Sequence, residues 1–138
     1  HLYGFGRSGA AAMSLAIRLR HFCNYLDPVW WVGDQERMPI RSGDLVILFS
    51  QSGDREEVVL VSKKAEKARA EIAVVTNSKD SIIYSMATIT MHLPKLDEEF
   101  VYGGGDFELA AFYFQEILVT VIGLRQEIPQ EEVYKNHV

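Results

Sequence analysis

Five short strand-like runs, most of them apolar throughout and separated by helix-patterned stretches, constrain this chain more than any other feature. Leu45-Val46-Ile47-Leu48-Phe49 is the clearest, following Gly43-Asp44 and holding no polar residue. A strand apolar on both sides is buried on both, which is the situation in parallel sheets covered by helices above and below. Leu2–Phe5, Pro28–Val32, Ile72–Val75 and Thr88–Leu93 read as its companions. Between them, Ser8–Phe22 carries Met13, Ile17 and Arg20-His21 at helical spacing. A second helix, about Glu56–Ala70, sets Val58, Val59, Val61 and Ala65 apart from a Lys/Glu/Arg face. A third, Glu108–Leu124, is apolar nearly all round. This alternation predicts an α/β fold: three α/β/α layers around a five-stranded parallel sheet.

The 138 residues suit one domain, expected to run 1–138. Net charge is −5, so no global attraction to nucleic acid is expected. The acids are concentrated: residues 97–138 hold nine of them against Arg125 and Lys135, while residues 1–96 carry two more cations than acids. An anionic ligand is therefore expected to meet the first two thirds of the chain. Cys23 stands alone, which excludes an intrachain disulfide and a multi-cysteine metal site and fits a reducing, cytoplasmic setting. His21 and His92 have no ligand-type partners at metal spacing, so no metal is expected. No membrane association is expected either: no apolar run approaches the ~20 residues that span a bilayer, and no signal peptide is visible.

In a parallel sheet, ligands sit outside the carboxyl ends of the strands, so the turns after the strands carry the functional argument. The first, Gly4-Phe5-Gly6-Arg7-Ser8-Gly9, matches Gly-x-Gly-x-x-Gly. It reads either as a tight turn or as a dinucleotide loop, and Asp34 lies where a dinucleotide site would place its acid. The second, Ser50-Gln51-Ser52-Gly53-Asp54, follows the buried strand and opens a helix. Free N–H groups and the positive helix end meet there, and two hydroxyls add donors, as a phosphate requires. Helix capping accounts for one of the serines. Neither loop holds a Walker lysine, which argues against nucleotide hydrolysis.

These two loops, with Gly43-Asp44, Val74-Val75-Thr76-Asn77-Ser78 and the run Thr88–Leu93 closed by Pro94, resemble the sugar isomerase (SIS) domain of phosphosugar-binding proteins. Phe107-Glu108, the apolar helix to Leu124, Glu131-Glu132 and His137 are similar to the tail of the single-domain 6-phospho-3-hexuloisomerases in that family. The family pattern starts with a helix ahead of the first strand, whereas these residues open directly on a strand-like run. Its phosphate loop commonly reads Ser-Gly-Glu-Thr where this one reads Ser52-Gly53-Asp54-Arg55, a cation in place of a hydroxyl. Before Phe107, Gly103-Gly104-Gly105-Asp106 stands where relatives tend to have Gly-Thr-Leu.

The resemblance implies a flavodoxin-like domain that isomerises 3-hexulose 6-phosphate and fructose 6-phosphate through an enediol, with no cofactor. Glu108, at the start of an apolar helix, is the expected base, and a carboxylate withdrawn from water holds a proton more readily. His137 is expected to assist, from its own or a neighbouring subunit; otherwise it is a frayed terminal residue. The expected substrate and phosphate set is Gly6, Arg7, Ser8, Ser50, Gln51, Ser52, Asp54, Glu56, Asn77 and Ser78. Several of these have plain structural readings too: Arg7 as a solvated arginine, Asp54 and Glu56 as partners of a helix dipole, Asn77 and Ser78 as turn residues. The all-round apolar last helix points to a homo-oligomer with a shared active site. Two rivals stand beside the enzyme. One is a non-catalytic phosphosugar sensor; such sensors usually append a DNA-binding module, and no basic helix-turn-helix is expected within these residues. The other is a nicotinamide-dependent oxidoreductase.

Overall fold

A computed structural model of the chain describes residues 1–95, 101 and 105–137. Four parallel strands form its sheet in the order β1 (Leu2–Gly4), β2 (Leu45–Phe49), β3 (Glu71–Thr76) and β4 (Ile89–His92). The long helices are α1 (Gly6–Arg20), α2 (Glu56–Ala68) and, later in the chain, α4 (Asp106–Arg125). Two short helices, α3 (Ile82–Met86) and α5 (Gln130–Lys135), lie outside the helices expected from periodicity.

The expected fifth strand is a correction. Pro28–Val32 is reduced to one parallel bridge, Leu2 with Trp31. Leu2 N–H donates to Trp30 O at 2.8 Å and Val32 N–H donates to Leu2 O at 3.0 Å. Pairing stops there for local reasons. Pro28 has no N–H to contribute, and Asp34 N–H turns back onto Trp31 O at 3.0 Å. β1, the only neighbour, is itself three residues long. The bridged segment still lies beside β1, so the spatial order follows the flavodoxin-like pattern 2-1-3-4-5.

Because side chains alternate along a strand, each strand feeds two cores. Val46, Leu48, Ile72 and Val74 pack with Val58, Val61 and Ile83 under α2 and α3. Leu2, Phe49 and Val75 pack with Ala12, Leu15, Phe107 and Ala111 under α1 and α4. Phe49 and Phe107 are fully buried, each worth about 1.5–3 kcal/mol relative to exposure. The result is the expected three layers.

α1 and α4 run side by side in the same direction: Ser8 meets Glu108 near their starts and Arg18 meets Glu116 further along. The inner side of α4 is buried, whereas Leu109, Tyr113, Ile117 and Leu124 on its outer side are 57, 74, 52 and 75% exposed. The expectation about apolar runs needs revision here. Over its 20 residues α4 is long and apolar enough, by length and composition alone, to cross a membrane. The sequence reading missed this because Glu108, Gln115, Glu116 and Thr120 interrupt the run. In the structure α4 packs along α1.

Candidate active site

The turn after β1 is set by close approach. A Cβ on Gly4 would lie 2.8 Å from Ser8 O, and one on Gly9 would lie 2.6 Å from Gly4 O. Gly6 takes a left-handed φ of +59°. Helix packing and turn geometry thus account for all three motif glycines without a dinucleotide. Asp34 accepts a 2.6 Å hydrogen bond from Arg20 Nη2 at the last turn of α1, on the side away from this turn.

The loop after β2 is braced from three directions. Gly53 N–H donates to Ser50 Oγ at 3.1 Å. The Thr76 hydroxyl, fully buried at the end of β3, donates to Gln51 O at 3.1 Å. Asp54 Oδ1 accepts from Ile82 N–H at 2.8 Å, tying the loop to α3. Two hydroxyls therefore serve different ends: Ser50 is 3% exposed and holds the loop, whereas Ser52 is exposed. The first amides of α2 follow, with no side chain capping them.

These turns border an open cleft of about 810 Å³, lined among others by Gly6, Arg7, Ser8, Ser50, Gln51, Ser52, Asn77, Ser78 and Glu108. Nine of the twelve expected site residues are thus brought together. Glu108 is 9% exposed although charged. Its Oε1 accepts from the Ser8 hydroxyl at 3.1 Å, and its Oε2 lies 3.7 Å from Arg7 Nη2. The Arg7 guanidinium rests against Gly105, where a Cβ would fall 2.4 Å from Nη2. Neither polar atom of the buried Asn77 amide has a partner among the described residues; such a group gains by meeting a ligand or water.

Four cations, Arg7, Arg55, Lys79 and Lys95, line the cleft against two acids, Asp80 and Glu108. A chain of net charge −5 thus turns a positive site outward. Sequence reasoning left Phe5, Arg55, Lys79, Asp80 and Lys95 outside the expected set. Position could have found them, because each lies in a turn at the carboxyl end of a strand.

Three expected residues are not at the cleft. Asp54 spends its carboxylate on the start of α3. Glu56 is an exposed acid in the first turn of α2, where it complements the dipole. His137 packs its ring on His21, centroids 4.5 Å apart. His21 follows the last turn of α1, about 20 Å along the helix from Ser8, so within one chain His137 does not reach Glu108. Burial, with help from His137 and Arg18, holds His21 below its ordinary pKa. Among the described residues, no three His, Cys, Asp or Glu side chains converge as metal ligands. The Gly103-Gly104 part of the glycine run lies outside the described residues.

The chain is 32% identical to the 3-hexulose-6-phosphate isomerase of Mycobacterium gastri, over 97% of this chain and 69% of that one. It is 29% identical to the enzyme of the same name from Methanocaldococcus jannaschii, over 99% and 73%. Its fold superimposes with a TM-score of 0.89, at 28% identity, on a Methanococcus jannaschii crystal structure from which a 3-hexulose-6-phosphate isomerase function was inferred, covering 99% of this chain and 75% of that one. The SIS domain family matches residues 1–112, from the first strand into α4 and so through both loops and Glu108; this chain belongs to the SIS domain family.

Proposed function

We propose that this protein is a sugar-phosphate isomerase interconverting 3-hexulose 6-phosphate and fructose 6-phosphate. The observation that carries the reading is Glu108, a nearly buried carboxylate fixed by Ser8 at the wall of a cation-rich cleft. The relatives named above supply the substrate. The phosphate docks at Ser52 and the first amides of α2, where helix end and hydroxyl both favour an anion. Arg7, Asn77 and Ser78 face the sugar oxygens.

Glu108 Oε2 then takes the proton from carbon 2 of the 3-ketose while the carbonyl oxygen at carbon 3 gains one, giving a 2,3-enediol. Returning the proton to carbon 3, as the hydroxyl on carbon 2 loses its own, leaves the 2-ketose. One proton moves along the chain and nothing is oxidised overall, so the reaction needs no redox cofactor. Oε1 stays committed to Ser8, which leaves the other oxygen for the transfer. Assistance from His137 requires a neighbouring subunit, and the exposed apolar side of α4 is the face such an oligomer would cover.

Incubation with fructose 6-phosphate in deuterated water tests the reading. Exchange of the hydrogen on carbon 3 is expected with the wild-type protein and not with Glu108→Gln. Binding without exchange in the wild type would overturn the enzyme in favour of a phosphosugar sensor.

A further inference from the structure

Arg55 is not used by that account. It closes the loop after β2, its guanidinium lies 5.6 Å from the centroid of the Phe5 ring, and both residues line the cleft. Phe5 belongs to the turn after β1, so the contact spans the gap between the two turns that face the ligand. Of the cleft's two arginines, Arg7 already lies beside the carboxylate of Glu108. Arg55 makes no ion pair among the described residues, and its neighbour Asp54 is directed to Ile82 N–H instead. A long exposed side chain without a partner normally wanders, and ordering it on binding costs entropy. A cation–π contact with an aromatic face restrains a guanidinium while leaving N–H groups free to donate.

We propose that Arg55, held over Phe5, is the specificity-determining cation that grips the substrate phosphate across both turns and makes the site select phosphorylated over free sugar. A planar fork meets two phosphate oxygens at once, which a hydroxyl or an ammonium does not. The inference rests on the isomerase reading for the sugar, but the anion contact can be read without turnover.

Calorimetric titration with inorganic phosphate and with fructose 6-phosphate, on the wild type, Arg55→Met, Arg55→Lys and Phe5→Leu, tests it. Arg55→Met is expected to weaken both ligands about 10- to 100-fold. Arg55→Lys should recover only part of that loss, because it keeps charge without the fork. Phe5→Leu should weaken phosphate while leaving all charges in place, since it frees the guanidinium. The loss in kcat/KM for the sugar phosphate should appear in KM. Equal affinities in Arg55→Met and wild type would overturn the proposal yet leave the isomerase reading intact if exchange at carbon 3 persists. A wild type that binds neither ligand would overturn both. Arg55 is exposed, and matching melting curves for the variants check that the fold is retained.

Discussion

The Ser8 hydroxyl donates to Glu108 Oε1 at 3.1 Å, joining the first turns of α1 and α4 across 100 residues of sequence. In the proposed isomerisation Glu108 must be aimed at a carbon-bound proton, and this bond, with α4 packed on α1, would aim it. Ser8→Ala is expected to lower kcat for fructose 6-phosphate isomerisation by about 10- to 100-fold, the worth of one charge-assisted hydrogen bond, while KM stays within a few fold. Glu108→Gln keeps an acceptor for Ser8 but no base, and should lower kcat by about 100- to 10,000-fold with binding retained. Steady-state kinetics beside calorimetry separate the two effects. An unchanged kcat in Glu108→Gln would remove Glu108 from the chemistry.

Asp54 offers the opposite pattern. Its Oδ1 receives Ile82 N–H at 2.8 Å, so it acts as a cap supplied from another loop. Asp54→Ala should cost about 1 kcal/mol of stability, typical for a lost cap. Affinity for inorganic phosphate should hold or rise, because the loop loses a negative charge. Chemical denaturation and phosphate titration read these outcomes separately; a clear loss of phosphate affinity at unchanged stability would return Asp54 to the binding set.

Gly53 sits at φ +75°, and an added Cβ would lie 2.1 Å from Ser81 Oγ. Gly53→Ala therefore meets both a backbone penalty and a clash, together about 1–3 kcal/mol. Ser81 Cβ would itself lie 2.4 Å from the added group, so only Ser81→Gly clears the contact, and Gly53→Ala should cost less stability in a Ser81→Gly background than in the wild type. Equal costs in the two backgrounds would show that the clash contributes nothing.

The layers were legible in the sequence because Leu45–Phe49 can be buried on both sides only between helices. The two loops were legible because strand ends fix where ligands meet a parallel sheet. The failures are local competitions. Pro28–Val32 has strand composition, but without an N–H at Pro28, and with a three-residue neighbour, it pairs only at Trp31. Asp54 and Ser52 look alike as loop polar residues. Only the placement of α3 shows that one is spent on a helix end and the other left exposed. Arg55 was visible as a cation in the loop after β2, yet the role proposed for it depends on Phe5, fifty residues earlier and brought near because β1 and β2 pair.

The outer side of α4 exposes Leu109, Phe112, Tyr113 and Ile117 along one continuous stripe. A patch of this kind is expected to be covered by another copy of the chain. The wild type should then run as a dimer or larger in light scattering, and Tyr113→Glu with Ile117→Glu should shift it toward monomer. If His137 is supplied by a neighbour, turnover should fall with the oligomer even though Glu108 and the loop after β2 are untouched. A monomeric wild type that isomerises at full rate would exclude the shared site.

The His21–His137 contact predicts how stability depends on pH. Burial is the main reason His21 sits below its ordinary pKa of 6.5, with His137 and Arg18 adding repulsion. Arg18 is in turn paired with Glu116 at 2.8 Å, and Asn136 Nδ2 donates to His21 O. As pH falls through 6.5 the unfolded chain takes up this proton before the folded one does, so the contribution of His21 is fully present above that value and is lost below it. The loss levels off once the folded form also protonates. Between about pH 7.5 and about pH 5.5 the wild-type Tm should therefore fall further than that of His21→Gln, in which only the other titrating groups contribute. Equal shifts in the two proteins would mean that His21 carries no net linkage and that its contact with His137 does not oppose its charge.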